Sequence, residues 1–327
     1  MLGIVSKLYG SVANLRNALY ERGVFETHDL GAFTVSIGNI TTGGTGKTPL
    51  VAYVAEILAE HSKKVCILTR GYGREDVSER VLVTPDSDPT IAGDEPVELA
   101  RRLEHKAVII ADRDRVAAAE WAKRKFGITA FVLDDGFQHR GAKRDLDIVC
   151  IDATNPFGGG KMLPSGHLRE PVENLARARL ILITRADLVD DLTDLKVEIE
   201  RLAPNAHIFE CRNGVKEIRD LGSDVEKFSK TASCYAFCGL GNPDSFVALL
   251  AAQNMVIAGF KAFADHHKYS QEDIEVIERE ARSVGTEALL TTAKDAVKLC
   301  EMHFTLPLYV VEIDVELNEP KAFAKLF

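Results

Sequence analysis

The chain has 327 residues, 46% of them apolar and 27% charged, enough to bury a substantial core and to divide into two units. Forty basic against 49 acidic side chains give a net charge of -9, which excludes a general nucleic-acid binder and leaves room for a local basic groove. No apolar run reaches the roughly 18 residues that cross a bilayer, and six cysteines at 66, 150, 211, 234, 238 and 300 show no paired spacing. Reduced, buried thiols in a reducing compartment are expected, because no third and fourth ligand completes a zinc pattern beside Cys234 and Cys238.

At the start, Leu2, Val5, Leu8, Tyr9, Val12, Leu15 and Leu19 recur at helical spacing, accompanied by Lys7, Arg16 and Arg22. The dispersed charge and the lack of a small-residue cleavage site do not suit a secretory signal. Two readings stay open for residues 1–22: a helix docked on the body of the protein, or an amphipathic helix lying in an anionic membrane surface.

The apolar alternation of Phe33–Gly38 predicts a strand, and Pro49, Leu50, Val54 and Leu58 then open a helical pattern. Between them lie Gly43, Gly44, Thr45, Gly46, Lys47 and Thr48, a Gly-rich turn placed where backbone N–H groups and a helix N-terminus cradle nucleotide phosphates. In that arrangement Lys47 reaches the β/γ oxygens and the Thr48 hydroxyl holds magnesium. The strict pattern asks for Gly where this chain has Thr41, so Gly38, Gly43 and Gly44 are expected to supply the flexibility.

A strand over 64–69 ends in Arg70-Gly71-Tyr72-Gly73-Arg74, a ligand-facing loop in an open α/β sheet. Residues 75–93 are turn-rich with one short apolar run, Val81–Val83, and a small ribbon or an exposed loop is expected there. Gly93-Asp94-Glu95-Pro96 then opens a helix, with Asp94 either capping it or doing the work of orienting or deprotonating an acceptor hydroxyl. After a strand over 107–111, Asp112-Arg113-Asp114-Arg115 opens a helix through Phe126, and an arginine there suits a solvent face or a phosphate. The strand over 128–133 ends in Asp134-Asp135-Gly136-Phe137-Gln138-His139-Arg140, and acids at such a strand end position magnesium.

A long irregular stretch runs from Asn155 to Pro171 after the strand over 145–151, and it reads as a site wall. Arg169 can grip a phosphate through two parallel hydrogen bonds, while Glu170 can accept from metal-bound water or pair with Arg169. A helix over 172–178 and a strand over 179–183 lead to Thr184-Arg185-Ala186-Asp187, one residue away from a guanine-reading element and weak support for guanine specificity. Residues 190–230, with a helix over 191–203 and a short strand over 207–209, mark the boundary zone. Beyond it, Cys234–Cys238, the Gly239-Leu240-Gly241 turn, a helix over 243–253 and a strand over 255–259 form a βαβ unit, without the acid and glycine order of a dinucleotide site. Asp265-His266-His267 is the strongest polar cluster of this half: either Asp265 and Ser270 serve turns and caps, or Asp265 or another carboxylate orients a histidine that faces the phosphate site across an interdomain cleft. Strands over 287–291 and 308–313 and a helix over 319–325 complete the pattern, with Thr292-Ala293-Lys294-Asp295 as another polar strand end.

Together, Gly38-Asn39-Ile40-Thr41 with Gly43–Thr48, Arg70-Gly71-Tyr72, Gly93–Pro96, Leu133–Arg140, Leu163–Pro171, Asp265-His266-His267 and Thr291–Asp295 resemble the tetraacyldisaccharide 4'-kinase family, nearly end to end. The resemblance implies an α/β fold: a P-loop NTPase-type, mostly parallel sheet over 23–228, a second, smaller α/β domain over 229–327 and an N-terminal amphipathic membrane-contact helix over 1–22. It also implies transfer of the γ-phosphoryl group of ATP, with Mg2+, to the 4'-hydroxyl of an acylated glucosamine disaccharide 1-phosphate. The setting implied is peripheral, at the cytoplasmic face of the bacterial inner membrane, against an anionic membrane surface and with no obligate protein partner.

Carried over residue by residue, Lys47 and Thr48 match nucleotide and magnesium residues, the Asp134-Asp135 pair the acidic strand end, and Asp94 the activator of the acceptor hydroxyl. His266 matches the histidine that works with that aspartate, and Arg169 and Glu170 match the pair near phosphates and metal. Tyr72, Arg113, Gln138 and His139 match residues lining the cleft. Gly73 and Ser165-Gly166-His167 depart from the family pattern. Two rivals use the same loop: a soluble ATPase or GTPase that switches a protein partner, and a kinase of a small soluble metabolite.

Overall fold

The structure, a computed structural model, describes residues 2–221, 232–286 and 288–327. The expected division at 228/229, Met1 of the opening helix and Glu287 of an expected strand lie outside the described residues.

Helix α1 (Leu2–Glu21) precedes β1 (Phe33–Gly38), α2 (Lys47–Glu60), β2 (Val65–Thr69), β3 (Val81–Val83), α3 (Pro89–Ala92), α4 (Asp94–Arg102), β4 (Ala107–Ala111), α5 (Arg115–Phe126) and β5 (Ala130–Asp134). Then come β6 (Leu146–Asp152), β7 (Leu180–Thr184), α6 (Thr193–Leu202), β8 (His207–Asp220), β9 (Ser233–Cys238), α7 (Pro243–Ala252), β10 (Val256–Ala262), α8 (Gln271–Ser283), β11 (Leu289–Thr292), α9 (Ala293–Ala296), β12 (Leu308–Leu317) and α10 (Pro320–Ala324). The strands form one twelve-stranded sheet in the order β10-β9-β11-β12-β8-β7-β6-β1-β5-β2-β4-β3.

Alternation along the strands divides the core. Val65 and Ile67 pack with Leu50, Val54 and Leu58 of α2 on one face, whereas Cys66 and Leu68 pack with Ala118, Ala119 and Ala122 of α5 on the other. The second half repeats the rule: Cys234, Ala236 and Cys238 face Phe246 and Leu250 of α7, and Tyr235 and Phe237 face Ile274 and Ile277 of α8. Five of the six cysteines are buried free thiols and Cys300 is exposed.

Strand β8 differs most from the sequence reading. It has 14 residues, not three, pairing in parallel with β7 through His207–Glu210 and antiparallel with β12 from Cys211 to Asp220. An apolar pattern stops at Phe209 because the continuation is held by charge: Arg212 pairs with Glu316 at 2.7 Å and Arg219 with Glu312 at 2.8 Å. The expected helix over 172–178 is a 3₁₀ turn at Val172–Arg177, and the strand expected over 255–259 continues to Ala262.

Because β5 is inserted between β1 and β2, and β6 lies on the other side of β1, the C-terminal end of β1 is a topological switch point. Ile37 is in register with Asp134, so the glycine-rich turn after β1 and the acidic turn after β5 leave the sheet side by side. Gly136 N donates to Ile37 O at 2.9 Å, drawing the acidic turn onto β1. A Cβ on Gly38 would lie 2.7 Å from both the Cβ and the backbone N of Phe137, so only glycine permits this approach. Gly38→Ala is expected to lose about 1–3 kcal/mol of stability by urea unfolding, as overpacked sites do; an unchanged midpoint would contradict the close approach.

Candidate active site

The phosphate loop gains its curvature from Gly43 (φ 108°) and Gly46 (φ 74°). Thr41, where the strict pattern asks for glycine, sits in an extended bridge to Leu168 and needs no positive φ. A Cβ on Gly43, Gly44 or Gly46 would meet nothing within 4 Å, so the hollow of the loop is open. Gly46 caps α2 without a side chain, leaving the first N–H groups of the helix, with Lys47 and Thr48 in its first turn, for an anion.

Facing this loop, Asp135 has a left-handed backbone (φ 50°); that strain falls on the aspartate and not on Gly136, whose role is close packing against Ser36 and Leu133. Asp135 Oδ1 lies 3.5 Å from Lys47 Nζ and Oδ2 accepts from Arg169 Nη1 at 2.6 Å. Burial pushes the Asp135 carboxyl up, but Lys47 and Arg169 overcome it and hold it at about 2, fully ionised. Asp134 points the other way in charge terms: burial and then Asp135 raise it, while its Oδ2 accepts from Thr69 Oγ1 at 2.9 Å. The paired acids are therefore shifted in opposite directions, Asp135 down and Asp134 up.

The donor set suits magnesium. Asp135 Oδ1 is buried with no hydrogen-bond partner, beside the Thr48 hydroxyl's helix turn and Asp134, and hard oxygen donors in small number are what Mg2+ takes when phosphates and water complete its shell. Among the described residues no group of three or more His, Cys, Asp or Glu forms a closed metal cage.

Glu170 stands apart from that set. It is 3% exposed, and its carboxylate accepts from Arg177 Nη2 at 3.0 and 3.1 Å, Gln138 Nε2 at 2.8 Å and Asn17 Nδ2 at 3.1 Å. These donors hold the carboxylate in place from several elements, as an anchor for the stretch around it. Gln138 also donates to Asn39 O at 2.9 Å, so it fixes the loop after β1. His139 is half-buried; burial, with Arg115, Arg144 and Arg16 nearby, pulls it down to about 4, so its ring is neutral.

Through Asn17 this anchor reaches α1, which docks by its small and polar face: Ser6, Gly10 and Asn17 are buried. Ser6 donates to Ser165 at 2.8 Å and Arg16 to Gln138 O at 2.8 Å. The opposite face leaves Leu2, Ile4, Leu8, Val12 and Leu15 more than half exposed.

The second cluster joins the two halves of the sheet. Asp94 opens α4 but caps nothing, since Gly93 occupies the cap position; its Oδ2 lies 3.1 Å from His266 Nδ1 and 3.4 Å from Lys298 Nζ. Lys294 Nζ lies 2.9 Å from both Glu95 and Asp265, and Lys298 also meets the fully buried Asp295 at 3.1 Å. The Asp94 hydrogen bond raises His266 above the usual histidine range. Burial opposes ionisation of Asp94, yet His266 and Lys298 hold its carboxyl below the usual range. His267 pairs instead with Asp273 at 3.1 Å and stacks on Phe263. A Cβ on Gly241 would lie 4.0 Å from Gly44 N, which sets the turn after β9 against the phosphate loop.

Of the expected cleft residues, Tyr72 is 74% exposed with its ring 5.6 Å from that of His266. Arg113 is exposed, and it is Arg115 that turns inward, 3% exposed and donating to Asp135 O at 3.3 Å. The sequence reading also passed over Lys298, whose spacing from Lys294 and Asp295 on one helical turn was the available signal.

The whole chain, residues 1–327, matches the family model for tetraacyldisaccharide-1-P 4'-kinase. It is 35% identical to the tetraacyldisaccharide 4'-kinase of Halothermothrix orenii over 97% of this chain and 89% of that protein. To the enzyme of that name from Anaeromyxobacter sp. strain K it is 39% identical, over 94% of this chain and 84% of that protein. Its structure is similar to that of LpxK from Aquifex aeolicus in complex with ATP, with a TM-score of 0.77 and 28% identity over 98% of this chain and 96% of that one. With a phosphate loop facing an ionised aspartate and a match along its full length, the chain belongs to the tetraacyldisaccharide-1-P 4'-kinase family.

Proposed function

We propose that the chain transfers the γ-phosphoryl group of ATP to the 4'-hydroxyl of tetraacyldisaccharide 1-phosphate, giving the 1,4'-bisphosphorylated product. The observation that carries this reading is the 3.1 Å contact between Asp94 and His266, a carboxylate–histidine pair that a switch ATPase or GTPase does not need. In this reading the N–H groups of Gly43–Thr48 and the α2 N-terminus hold the phosphates, and Lys47 and Arg169 stabilise charge on the transferred group. Thr48, Asp134 and Asp135 would hold Mg2+, which neutralises phosphate charge when bound. Asp94, ionised, takes the proton of the 4'-hydroxyl late in transfer, and His266 fixes the orientation of Asp94. Tyr72, exposed beside His266, offers an aromatic face to the sugar.

Residues 23–228 are assigned to the phosphate-binding unit and 229–327 to the unit that brings His266, with β8 passing between them. Closing one on the other would exclude water, the competing acceptor. The exposed apolar face of α1 is assigned to the cytoplasmic surface of the inner membrane, because extracting acyl chains costs about 0.8 kcal/mol per CH₂. Among the described residues no helix is long and apolar enough to cross a membrane, which suits peripheral contact.

Labelled γ-phosphate from ATP is expected on the 4'-position of detergent-dispersed tetraacyldisaccharide 1-phosphate, with transfer reduced about 100-fold or more in Lys47→Ala. Bound ATP without transfer would move a switch ATPase to first place. The raised His266 makes its pairing with Asp94 a stabilising contribution that is complete below the ordinary histidine value of about 6.5 and lost as pH rises through the raised value. The melting-temperature gap between wild type and His266→Gln should therefore be widest near pH 6 and shrink toward alkaline pH; a gap that grows with pH would contradict the pairing. Replacing Val5, Leu8 and Val12 together by serine should release the protein from anionic liposomes in a sedimentation assay, and unchanged partition would remove α1 from the membrane.

A further inference from the structure

The tetrapeptide Thr184-Arg185-Ala186-Asp187, which resembles a base-reading element, has a different task in the fold. Arg185 is 7% exposed and left-handed (φ 54°) at the end of β7. Its Nη1 pairs with Asp152 at the end of β6, and its Nη2 donates to Gly44 O of the phosphate loop at 2.8 Å. The neighbouring Thr184, 3% exposed, donates its hydroxyl to Thr45 O at 3.1 Å. On the other side of the loop Asn39 Nδ2 donates to Thr45 Oγ1 at 3.0 Å.

We propose that Thr184 and Arg185 are positioning residues for phosphate binding: by holding the carbonyls of Gly44 and Thr45 from behind, they aim the next N–H groups into the hollow of the loop. The physical link is peptide planarity. In a trans peptide the C=O of one residue and the N–H of the next point in opposite directions, so fixing Gly44 O directs Thr45 N–H and fixing Thr45 O directs Gly46 N–H. A loop with open space around Gly43, Gly44 and Gly46 has little else to prevent these peptides from flipping, and glycine lowers the cost of a flip. Asp152 holds the Arg185 guanidinium in register from the neighbouring strand. The pair therefore tunes affinity for di- and triphosphates and leaves base choice alone.

This proposal rests on the phosphate-loop reading, and the test separates the two. ATP, ADP and GTP binding to the full chain are measured by titration calorimetry, alongside KM for ATP and for the acceptor, in wild type, Arg185→Ala, Arg185→Lys and Thr184→Val. Arg185→Ala should weaken ATP and ADP about ten-fold, as loss of a charged hydrogen bond does, with the GTP-to-ATP ratio and the acceptor KM unchanged. Arg185→Lys, which keeps a donor, should recover most of the loss. Thr184→Val, nearly isosteric and free of the buried-charge problem, should weaken both nucleotides in the same sense by about three-fold. A changed GTP-to-ATP ratio, or unchanged ATP affinity in Arg185→Ala and Thr184→Val while wild type binds, would overturn the proposal alone. A wild-type chain that binds no ATP would overturn the phosphate-loop reading with it.

Discussion

The hydrogen bond between Asp94 and His266 is where two halves of one continuous sheet become one site. Asp94 comes from the helix that precedes β4, and His266 from the turn after β10, 172 residues later in the chain. Neither group can be held there cheaply. A partly buried carboxylate needs positive partners, and Lys298 supplies one from the turn after α9. Lys294, one turn earlier, is itself neutralised by Glu95 and Asp265 from opposite halves. The network is thus balanced across the junction, and removing any one member leaves a buried charge whose cost falls on the contact between the halves.

Around the phosphate loop, electrostatics is organised around a deficit of negative charge. The α2 N-terminus, Lys47, Arg169 and the buried Arg115 converge on Asp135, with the neighbouring Asp134 shifted up by burial and by Asp135. Such a surplus of positive groups is stable only next to an anion, and a polyphosphate is the anion that backbone N–H groups of a glycine-rich loop are shaped to hold. The charge-balanced network at Asp94 contrasts with the positive surplus around Lys47.

Much of this was legible in the sequence because it follows local rules. Strand alternation at 33–38, 65–69 and 130–134, the glycine turn before Lys47 and the Asp134-Asp135 strand end need only short-range periodicity and turn chemistry. What stayed hidden depends on partners far away in the chain. The continuation of β8 past Phe209 is stabilised by cross-strand charge with β12, which no apolar pattern reveals. The partners that hold Glu170, namely Arg177, Gln138 and Asn17, come from other stretches of the chain, and Arg115, not its neighbour Arg113, turns inward because helix phase decides which arginine faces the sheet. The opening helix inverts the usual rule, burying Ser6, Gly10 and Asn17 and exposing its leucines; periodicity identified the stripe but not which side of it the protein uses.

The central claim is that Asp94 and His266 act as one unit across the two halves. A double-mutant cycle on kcat for phosphoryl transfer, built from Asp94→Asn, His266→Gln and the double variant, addresses it directly. If the pair is one unit, the double variant is no slower than Asp94→Asn alone to within about two-fold, because the histidine has no aspartate left to orient. Losses that simply multiply would show two independent groups, and the account of a site completed by their contact would not stand.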